Sequence, residues 1–306
     1  MDASDRLFDR ALLARRLDRA AANAHAHEFL LARVAEDFAE RLSIVRRRFE
    51  RGLSIDAYHG LLSRRLRCVP NAGEMIDAGI SPRLLCACSG PTVAADAEAL
   101  PFAEGSLDLV VSGLSLQLAN DLPGALIQLR RALKPDGLLI AAILGGDTLT
   151  ELKQSWLAAE DDVLGGASPR IAPFADVRAL GALLQRAGFA LPVADSDTVT
   201  VTYADPIALM REIKGMGASN VLTARRRVPV TRGLVQRACE IYRERFAGAD
   251  GRVRATFEIV TLTGWVPHES QQKPLQPGSA RARLADALKP GFGAAAPSKL
   301  EKDMPD

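Results

Sequence analysis

The chain has 306 residues, a formal net charge of +2 and 48% hydrophobic residues. This composition is that of an ordinary globular protein with one large domain or two small ones. The charge is too small to favour nucleic acid as a partner, so we expect none. Four cysteines without a CxxC pair fit neither a disulfide framework nor a zinc site, so we expect a reducing compartment.

Neither the apolar runs nor the N-terminus indicates membrane insertion or export. The longest apolar runs, LDLVVSGLSLQLA and LLIAAILGG, are shorter than the ~20 residues that a helix needs to cross a bilayer. The first nine residues contain three aspartates, and no apolar signal-peptide core follows them. We therefore expect no transmembrane segment and a cytoplasmic location.

Residues 1–50 are predicted to form an N-terminal helical arm, because apolar side chains recur there at helical spacing. The stripe consists of Leu30, Leu31, Val34, Phe38, Leu42 and Val45. From residue 51 onward, short apolar runs alternate with helical stretches. The runs cover 52–55, 74–78, 92–95, 107–112 and 137–144. This alternation predicts βαβ units, and hence a parallel sheet covered on both faces.

After residue 147 the pattern is mainly helical, with two strand-like runs at 190–203 and 255–265. We divide the chain into three parts: the arm, a main domain and a C-terminal segment. The main domain covers 51–268, with helical cap insertions at 147–189 and 204–250, and the C-terminal segment covers 269–306. Its Pro- and Gly-rich part from residue 274 cannot bury much apolar surface, which predicts flexibility.

Ligands of open parallel sheets bind beyond the carboxyl ends of the strands. Asp56, Gly60, Gly79 and Asp96 follow predicted strands and are therefore candidates. The segment His25-Ala-His27-Glu28 could suggest a metal site, but on a helix the two histidines point about 200° apart. With four histidines in the whole chain, a site of two histidines and one carboxylate is hard to assemble. We predict no metal.

The run DAEALPFAEGSLDLVVSGLSLQLANDLPGALIQLRRALKPDGLLIAA, residues 96–142, resembles the S-adenosylmethionine (SAM)-dependent methyltransferase family. The resemblance implies an α/β fold: a Rossmann-like class I methyltransferase sheet with the helical arm and the helical cap. It also implies SAM as cofactor, with Asp96 contacting the adenine amine. The cofactor-binding positions implied are Asp56, Gly60, Gly79, Asp96, Ala97 and Ser112.

Further segments narrow the resemblance: GGDTLTEL (145–152), SPRIAPF (168–174), MGASN (216–220) and GWVPHESQQKP (264–274). Together they resemble the methyltransferase-fold assembly factors of respiratory complex I that hydroxylate an arginine on a subunit of NADH:ubiquinone oxidoreductase. The methyltransferase of biotin synthesis, which esterifies malonyl-carrier protein, is more distantly similar. The resemblance implies a protein partner, a complex I subunit, and peripheral contact with a membrane complex. A non-catalytic assembly chaperone and a carrier-protein or small-molecule methyltransferase remain open alternatives.

The same resemblance implies a changed cofactor loop in GLSIDAYHG, residues 52–60. The family has an acid and then Gly-x-Gly-x-Gly at the end of the first strand. Here Ser54 stands in place of the acid, Asp56 replaces the first glycine, and Gly60 remains. Gly79 replaces the acid that would hold the ribose hydroxyls, while Asp77 lies two residues earlier. Weakened SAM binding and its complete loss both remain open.

Four residues are candidates for substrate contact. Asp147 and Thr148 follow the predicted strand at 137–144 and could reach a substrate, although Asp147 could equally cap the next helix. By resemblance, His268 and Glu269 lie near the pocket. The resemblance identifies no catalytic residue, since methyl transfer depends mainly on positioning the acceptor.

Overall fold

A computed structural model describes residues 6–271. The described residues up to His268 belong to one compact unit, and Glu269, Ser270 and Gln271 belong to a second unit. The predicted flexible segment from residue 274 lies outside the described residues. Within 6–271, no helix is both long and apolar enough to cross a membrane.

The core is a seven-stranded sheet with the order β3-β2-β1-β4-β5-β7-β6. Its strands are β1 (Phe49–Ile55), β2 (Ala72–Gly79), β3 (Thr92–Ala94), β4 (Leu107–Gly113), β5 (Leu133–Leu144), β6 (Ala190–Tyr203) and β7 (Val253–Trp265). The first five strands pair in parallel, whereas β7 runs antiparallel to both of its neighbours. This topology confirms the predicted Rossmann-like methyltransferase fold and shows that the expected parallel pairing holds except at β7.

The helices are α1 (Arg10–Ala20), α2 (Phe29–Ser43), α3 (Leu61–Leu66), α4 (Pro82–Leu85), α5 (Leu122–Ala132), α6 (Thr150–Leu164), α7 (Val177–Arg186), α8 (Pro206–Gly215) and α9 (Arg232–Phe246). Two 3₁₀ helices cover Ala21–His27 and Leu116–Leu118. Many of the helices begin at a side chain that accepts a hydrogen bond from the first turn. Asp9, Asp121 and Asp176 cap α1, α5 and α7 in this way.

Apolar side chains cover both faces of the sheet. On one face, the predicted stripe of α2 packs against β1, β2, β4 and β5, and Phe38 and Leu42 are fully buried there. On the other face, β-strand residues such as Val110 pack against α5 and α7. Alternate residues of each strand point to opposite faces, which explains why every residue of β4 is buried and why β5 is apolar from Leu138 to Leu144.

The reversed strand β7 determines which end of the sheet its residues reach. Ile259, in the middle of β7, pairs with Leu144, the last residue of β5, and Trp265, the last residue of β7, pairs with Leu138 six residues earlier in β5. Helices α6, α8 and α9 come from the predicted cap insertions, and α9 packs on both α6 and α8. The start of β7 therefore lies at the carboxyl edge of the sheet.

We predict that Gly73→Ala lowers the free energy of unfolding by about 1–3 kcal/mol, the usual cost of overpacking. A Cβ on Gly73 would lie 2.4 Å from the carbonyl oxygens of Phe49 and Glu50 in β1. Backbone atoms cannot rotate away as a side chain can, so the strands must separate. Urea denaturation followed by circular dichroism measures the change.

Gly233→Ala is the matched control. Gly233 lies in the first turn of α9, and a Cβ there meets no atom within 4 Å. Alanine favours a helix by up to about 1 kcal/mol over glycine, so this variant should be as stable as the parent or more so. Equal stability of Gly73→Ala and the parent would show that the two strands are not packed as described.

Candidate ligand-binding site

A cavity of about 400 Å³ lies at the carboxyl edge of the sheet, between the arm and the cap. Its wall is mainly apolar, with Leu13, Leu31, Trp156, Ile213 and Phe257 among its residues. Among the described residues that line it, the charged or titratable side chains besides Tyr58 are those of Arg10, His27, Asp56 and Arg170. The cavity therefore suits a ligand that is partly apolar and has few charges.

The loop after β1 forms one wall of the cavity and has an unusual backbone. Asp56, Tyr58 and Gly60 all have positive φ angles, of 52°, 51° and 76°. Glycine adopts this left-handed region freely, whereas it costs other L-residues roughly 1–2 kcal/mol each. The loop thus has the alternating left-handed backbone of a glycine-rich turn, but it carries side chains at two of its three left-handed positions.

The side chain of Asp56 borders the cavity. Burial raises the pKa of its carboxyl group to about 6, against the opposing effects of the Arg10 guanidinium and a hydrogen bond with Ser115. Ser115 also contacts Ser112, with 3.0 Å between the two hydroxyl oxygens. Ser112 is fully buried, so it contacts the cavity wall through Ser115 without lining the cavity itself.

Asp96 is held by the arm. The Arg10 guanidinium donates to both carboxylate oxygens, at 2.6 Å to Oδ1 and 3.1 Å to Oδ2, and also to the Leu118 carbonyl oxygen at 3.3 Å. Both side chains are mostly buried, which favours this two-point contact. Arg10 lines the cavity, whereas Asp96 and the buried Ala97 are not among the described residues that line it. A ligand amine must therefore share Asp96 with Arg10.

Gly79 lines the cavity at the end of β2. A Cβ there would lie 3.6 Å from Ala57 N and from Asp56 Cα, which is ordinary contact, so a side chain would fit. The preceding acid, Asp77, points elsewhere. It is fully buried, the Ser63 hydroxyl of α3 donates to it, and burial raises the pKa of its carboxyl group. Asp77 therefore does not substitute for an acid at Gly79.

Thr148 and Asp147 have structural contacts. The buried Thr148 hydroxyl donates to the Glu258 carbonyl oxygen and accepts from the Glu258 amide, both at 3.1 Å, which fixes the loop to β7. Asp147 is exposed. Helix α6 begins at Thr150 with Leu149 as its N-cap, so the alternative role of Asp147 as the N-cap is wrong. Neither Asp147 nor Thr148 is among the described residues that line the cavity.

The expected location of His268 near the cavity is wrong. Because β7 is antiparallel, the chain runs away from the cavity along β7, and its end at Trp265 pairs with Leu138, six residues before the carboxyl end of β5. Between Ile259 and Trp265 the strand advances about 20 Å at the usual rise per residue. His268 follows that end and is exposed. Glu269 is also exposed and belongs to the second unit, and its role stays a prediction.

Two segments that contribute to the resemblance line the cavity from the cap. From 168–174 come Arg170, Ile171, Ala172 and Phe174, and from 216–220 come Met216, Gly217, Ala218, Ser219 and Asn220. The guanidinium of Arg170 lies 4.1 Å from the Trp156 ring centroid and donates to the buried Glu160. The motifs at 168–174 and 216–220 therefore point to this part of the cavity wall in the sequence, but they do not indicate which of their side chains face the cavity.

The structure also brings together three side chains that the sequence analysis did not combine. His59 Nε2 lies 2.8 Å from Glu28 Oε2, and His25 Nδ1 lies 3.3 Å from the same oxygen. His27 instead contacts Glu212 at 2.9 Å. The sequence analysis judged a metal site from the directions of His25 and His27. In the structure the second histidine of the group is instead His59, from the loop after β1. These are metal-ligating groups.

We predict that Asp56→Asn raises stability at pH 7 by up to about 3 kcal/mol, the equivalent of the rise in pKa from 3.8 to about 6. The folded protein binds the Asp56 proton more tightly than the unfolded chain does. The protonated carboxyl therefore contributes fully to stability below pH 3.8, and this contribution is lost as the pH rises through about 6. Asparagine has no such loss. Urea denaturation of both proteins at pH 4 and pH 7 tests this, and a stability difference that is independent of pH would contradict it.

Comparison with known proteins identifies the family. The methyltransferase domain family matches residues 43–141. The chain is 36% identical to the mitochondrial arginine-hydroxylase NDUFAF5 of Danio rerio, over 97% of this chain and 92% of that protein. It is 33% identical to the malonyl-[acyl-carrier protein] O-methyltransferase of Halorhodospira halophila, over 90% of this chain and 94% of that protein.

A solved structure agrees on the fold. Phosphoethanolamine N-methyltransferase 2 of Haemonchus contortus, in complex with S-adenosylhomocysteine, matches with a TM-score of 0.54 at 13% identity, over 84% of this chain and 60% of that one. Identity this low supports the fold alone, whereas the near full-length relatives establish descent. The chain belongs to the methyltransferase-fold family that includes the NDUFAF5 arginine hydroxylases and the malonyl-carrier-protein O-methyltransferases.

Proposed function

We propose that this protein modifies an arginine on a subunit of respiratory complex I during its assembly. The observation that carries this proposal is the likeness to proteins named arginine hydroxylases over nearly the whole of both chains. Hydroxylation is the activity we favour: one atom of dioxygen replaces a hydrogen as a hydroxyl group, and a two-electron donor from outside this chain reduces the other atom to water. The cytoplasmic location stays a prediction, as does peripheral contact with the membrane complex.

The cavity offers one place for a substrate guanidinium. Asp56 is the only carboxylate among the described residues that line the cavity. Arginine is recognised most strongly by charge-assisted hydrogen bonds to a carboxylate. Above about pH 6 Asp56 is largely ionised. We therefore assign to it the contact with the substrate arginine.

We also propose that the cavity binds SAM with reduced affinity. The left-handed backbone at Asp56, Tyr58 and Gly60 and the cavity at the carboxyl edge both fit such a cofactor. Two features oppose it: the Asp56 side chain where the family has glycine, and Gly79 where the family has an acid. Missing hydrogen bonds to the ribose cost roughly 1–3 kcal/mol, or about ten- to a hundredfold in affinity.

When bound, SAM supplies an electrophilic methyl group, and the role of this chain is to orient an acceptor towards it. A second candidate function is therefore methylation of a carrier-bound acyl ester. The mainly apolar wall of the cavity favours this alternative, since an acyl chain can be buried there. The remaining alternative, a non-catalytic assembly chaperone, would show neither arginine modification nor SAM binding.

We predict that Asp56→Gly combined with Gly79→Asp raises SAM affinity at least about tenfold, equivalent to 1.4 kcal/mol. The first change removes a side chain from the loop, and the second adds a ribose partner where a Cβ has room. Ser54 is left unchanged, because it is fully buried in register with Asp77 and a second carboxylate there would be repelled. Calorimetric titration with SAM measures the change, and an unchanged affinity would count against SAM binding in this loop.

The proposed activity predicts a mass increase of one oxygen atom on an arginine of a complex I subunit. Purified complex I from a deletion strain should lack this mass, and complementation with the parent gene should restore it. Complementation with Asp56→Asn should not. This variant is expected to be more stable than the parent at neutral pH, so loss of the modification would not reflect unfolding. Mass spectrometry reads the result, and full modification by the Asp56→Asn protein would exclude the role of Asp56.

A further inference from the structure

The group formed by His25, Glu28 and His59 lies where the arm meets the loop after β1. The 3₁₀ helix Ala21–His27 is kinked at Asn23, where φ is −125°. In this segment the His25 ring lies 4.3 Å from the His59 ring, measured between centroids. Glu28 follows the 3₁₀ helix and points its carboxylate at both imidazoles. The one available donor atom of each residue lies within 4.8 Å of the others.

The donor atoms have the separations of ligands around one ion. Donors about 2.1 Å from a metal and at right angles to each other are roughly 3 Å apart. The two measured separations to Glu28 Oε2 are 2.8 and 3.3 Å. In a simple ion pair without a metal, the histidine ring N–H would point directly at the glutamate oxygen.

His59 and Glu28 are close, but the His59 ring N–H does not point at the Glu28 carboxylate. His59 is 1% exposed, and its Nε2 has no hydrogen-bond partner among the described residues. Glu28 Oε2 also lacks one, although the two atoms are 2.8 Å apart. A buried polar atom without a partner carries a free-energy cost of about 1–3 kcal/mol. The 2.8 Å approach of these two atoms therefore lacks the geometry of a hydrogen bond.

We propose that His25, Glu28 and His59 bind one divalent transition-metal ion. Two imidazoles and one carboxylate leave coordination positions open, which is the donor set of iron(II) oxygenases. The His25 side chain is 66% exposed and the Glu28 side chain 27% exposed, so an ion can enter from solvent. Their neighbours His27 and Tyr58 line the cavity, so the metal site adjoins its wall.

Arg64 contacts the other ring nitrogen of His59, which affects how a metal can bind there. Its Nη2 lies 3.1 Å from His59 Nδ1, and a guanidinium can only donate, so Nδ1 accepts and Nε2 carries the ring proton. A metal at Nε2 must displace that proton, which then moves to Nδ1 or leaves to solvent. Metal-bound histidines normally donate their second N–H to an acceptor. Arg64 must therefore turn away when the metal binds.

The test is titration of the full-length, chelator-treated protein with Co²⁺, followed by visible absorption. We expect one equivalent to bind. Glu28→Gln and His25→Ala should each weaken binding at least about tenfold, because each removes one ligand from a partly exposed position. His268→Ala is the matched control, since it removes a histidine at the opposite edge of the sheet and should leave the titration unchanged. These variants avoid the buried His59, whose loss could unfold the chain.

Arg64→Gln supplies a second, opposite test. A glutamine can present a carbonyl oxygen to His59 Nδ1–H where arginine cannot. We expect it to tighten Co²⁺ binding about tenfold. Absence of saturable binding, or equal binding by the parent, Glu28→Gln and His25→Ala, would overturn the site. Unchanged or weaker binding by Arg64→Gln would overturn the assignment of Nε2 as the ligand.

Discussion

The backbone of the loop after β1 is the constraint on which both candidate sites depend. Two hydrogen bonds of 2.8 Å hold it, from Ala57 N to the Ala78 carbonyl oxygen and from Gly60 N to the Ala57 carbonyl oxygen. With left-handed residues at 56, 58 and 60, successive side chains diverge. Asp56 and Tyr58 line the cavity, while His59 Nε2 lies 2.8 Å from Glu28 Oε2 in the second cluster. One short loop therefore serves a ligand cavity and a cluster of metal-ligating groups.

This loop keeps a costly backbone without most of its glycines. Two non-glycine residues in the left-handed region cost roughly 1–2 kcal/mol each, and Asp56 adds the cost of a buried carboxyl group. Such strain persists only where surrounding structure determines it, and it concentrates at functional sites. The left-handed backbone at Asp56 and Tyr58 supports the substrate contact that we propose for Asp56.

The sequence predicted the fold well because the fold depends on local patterns. The strand at 190–203 matches the structure in both bounds, and the stripe of α2 is buried as expected, with Val45 only partly covered. The site was less predictable because it depends on pairings between distant residues. Nothing local in the sequence shows that β7 is reversed, which moves His268 away from the cavity. The contacts of Arg10 with Asp96 and of His25 with His59 are equally non-local.

The arm is part of the functional site rather than an appendage. Its residues close one side of the cavity through Phe8, Arg10 and Leu13, and they supply His25 and Glu28 to the second cluster. The Arg10 guanidinium lies against Asp96 and acts on Asp56 electrostatically. The cavity thus already accommodates one guanidinium, from its own chain, beside the carboxylate that we assign to the substrate arginine. Because Arg10 belongs to α1, the position of this one helix determines both the partner of Asp96 and one side of the cavity.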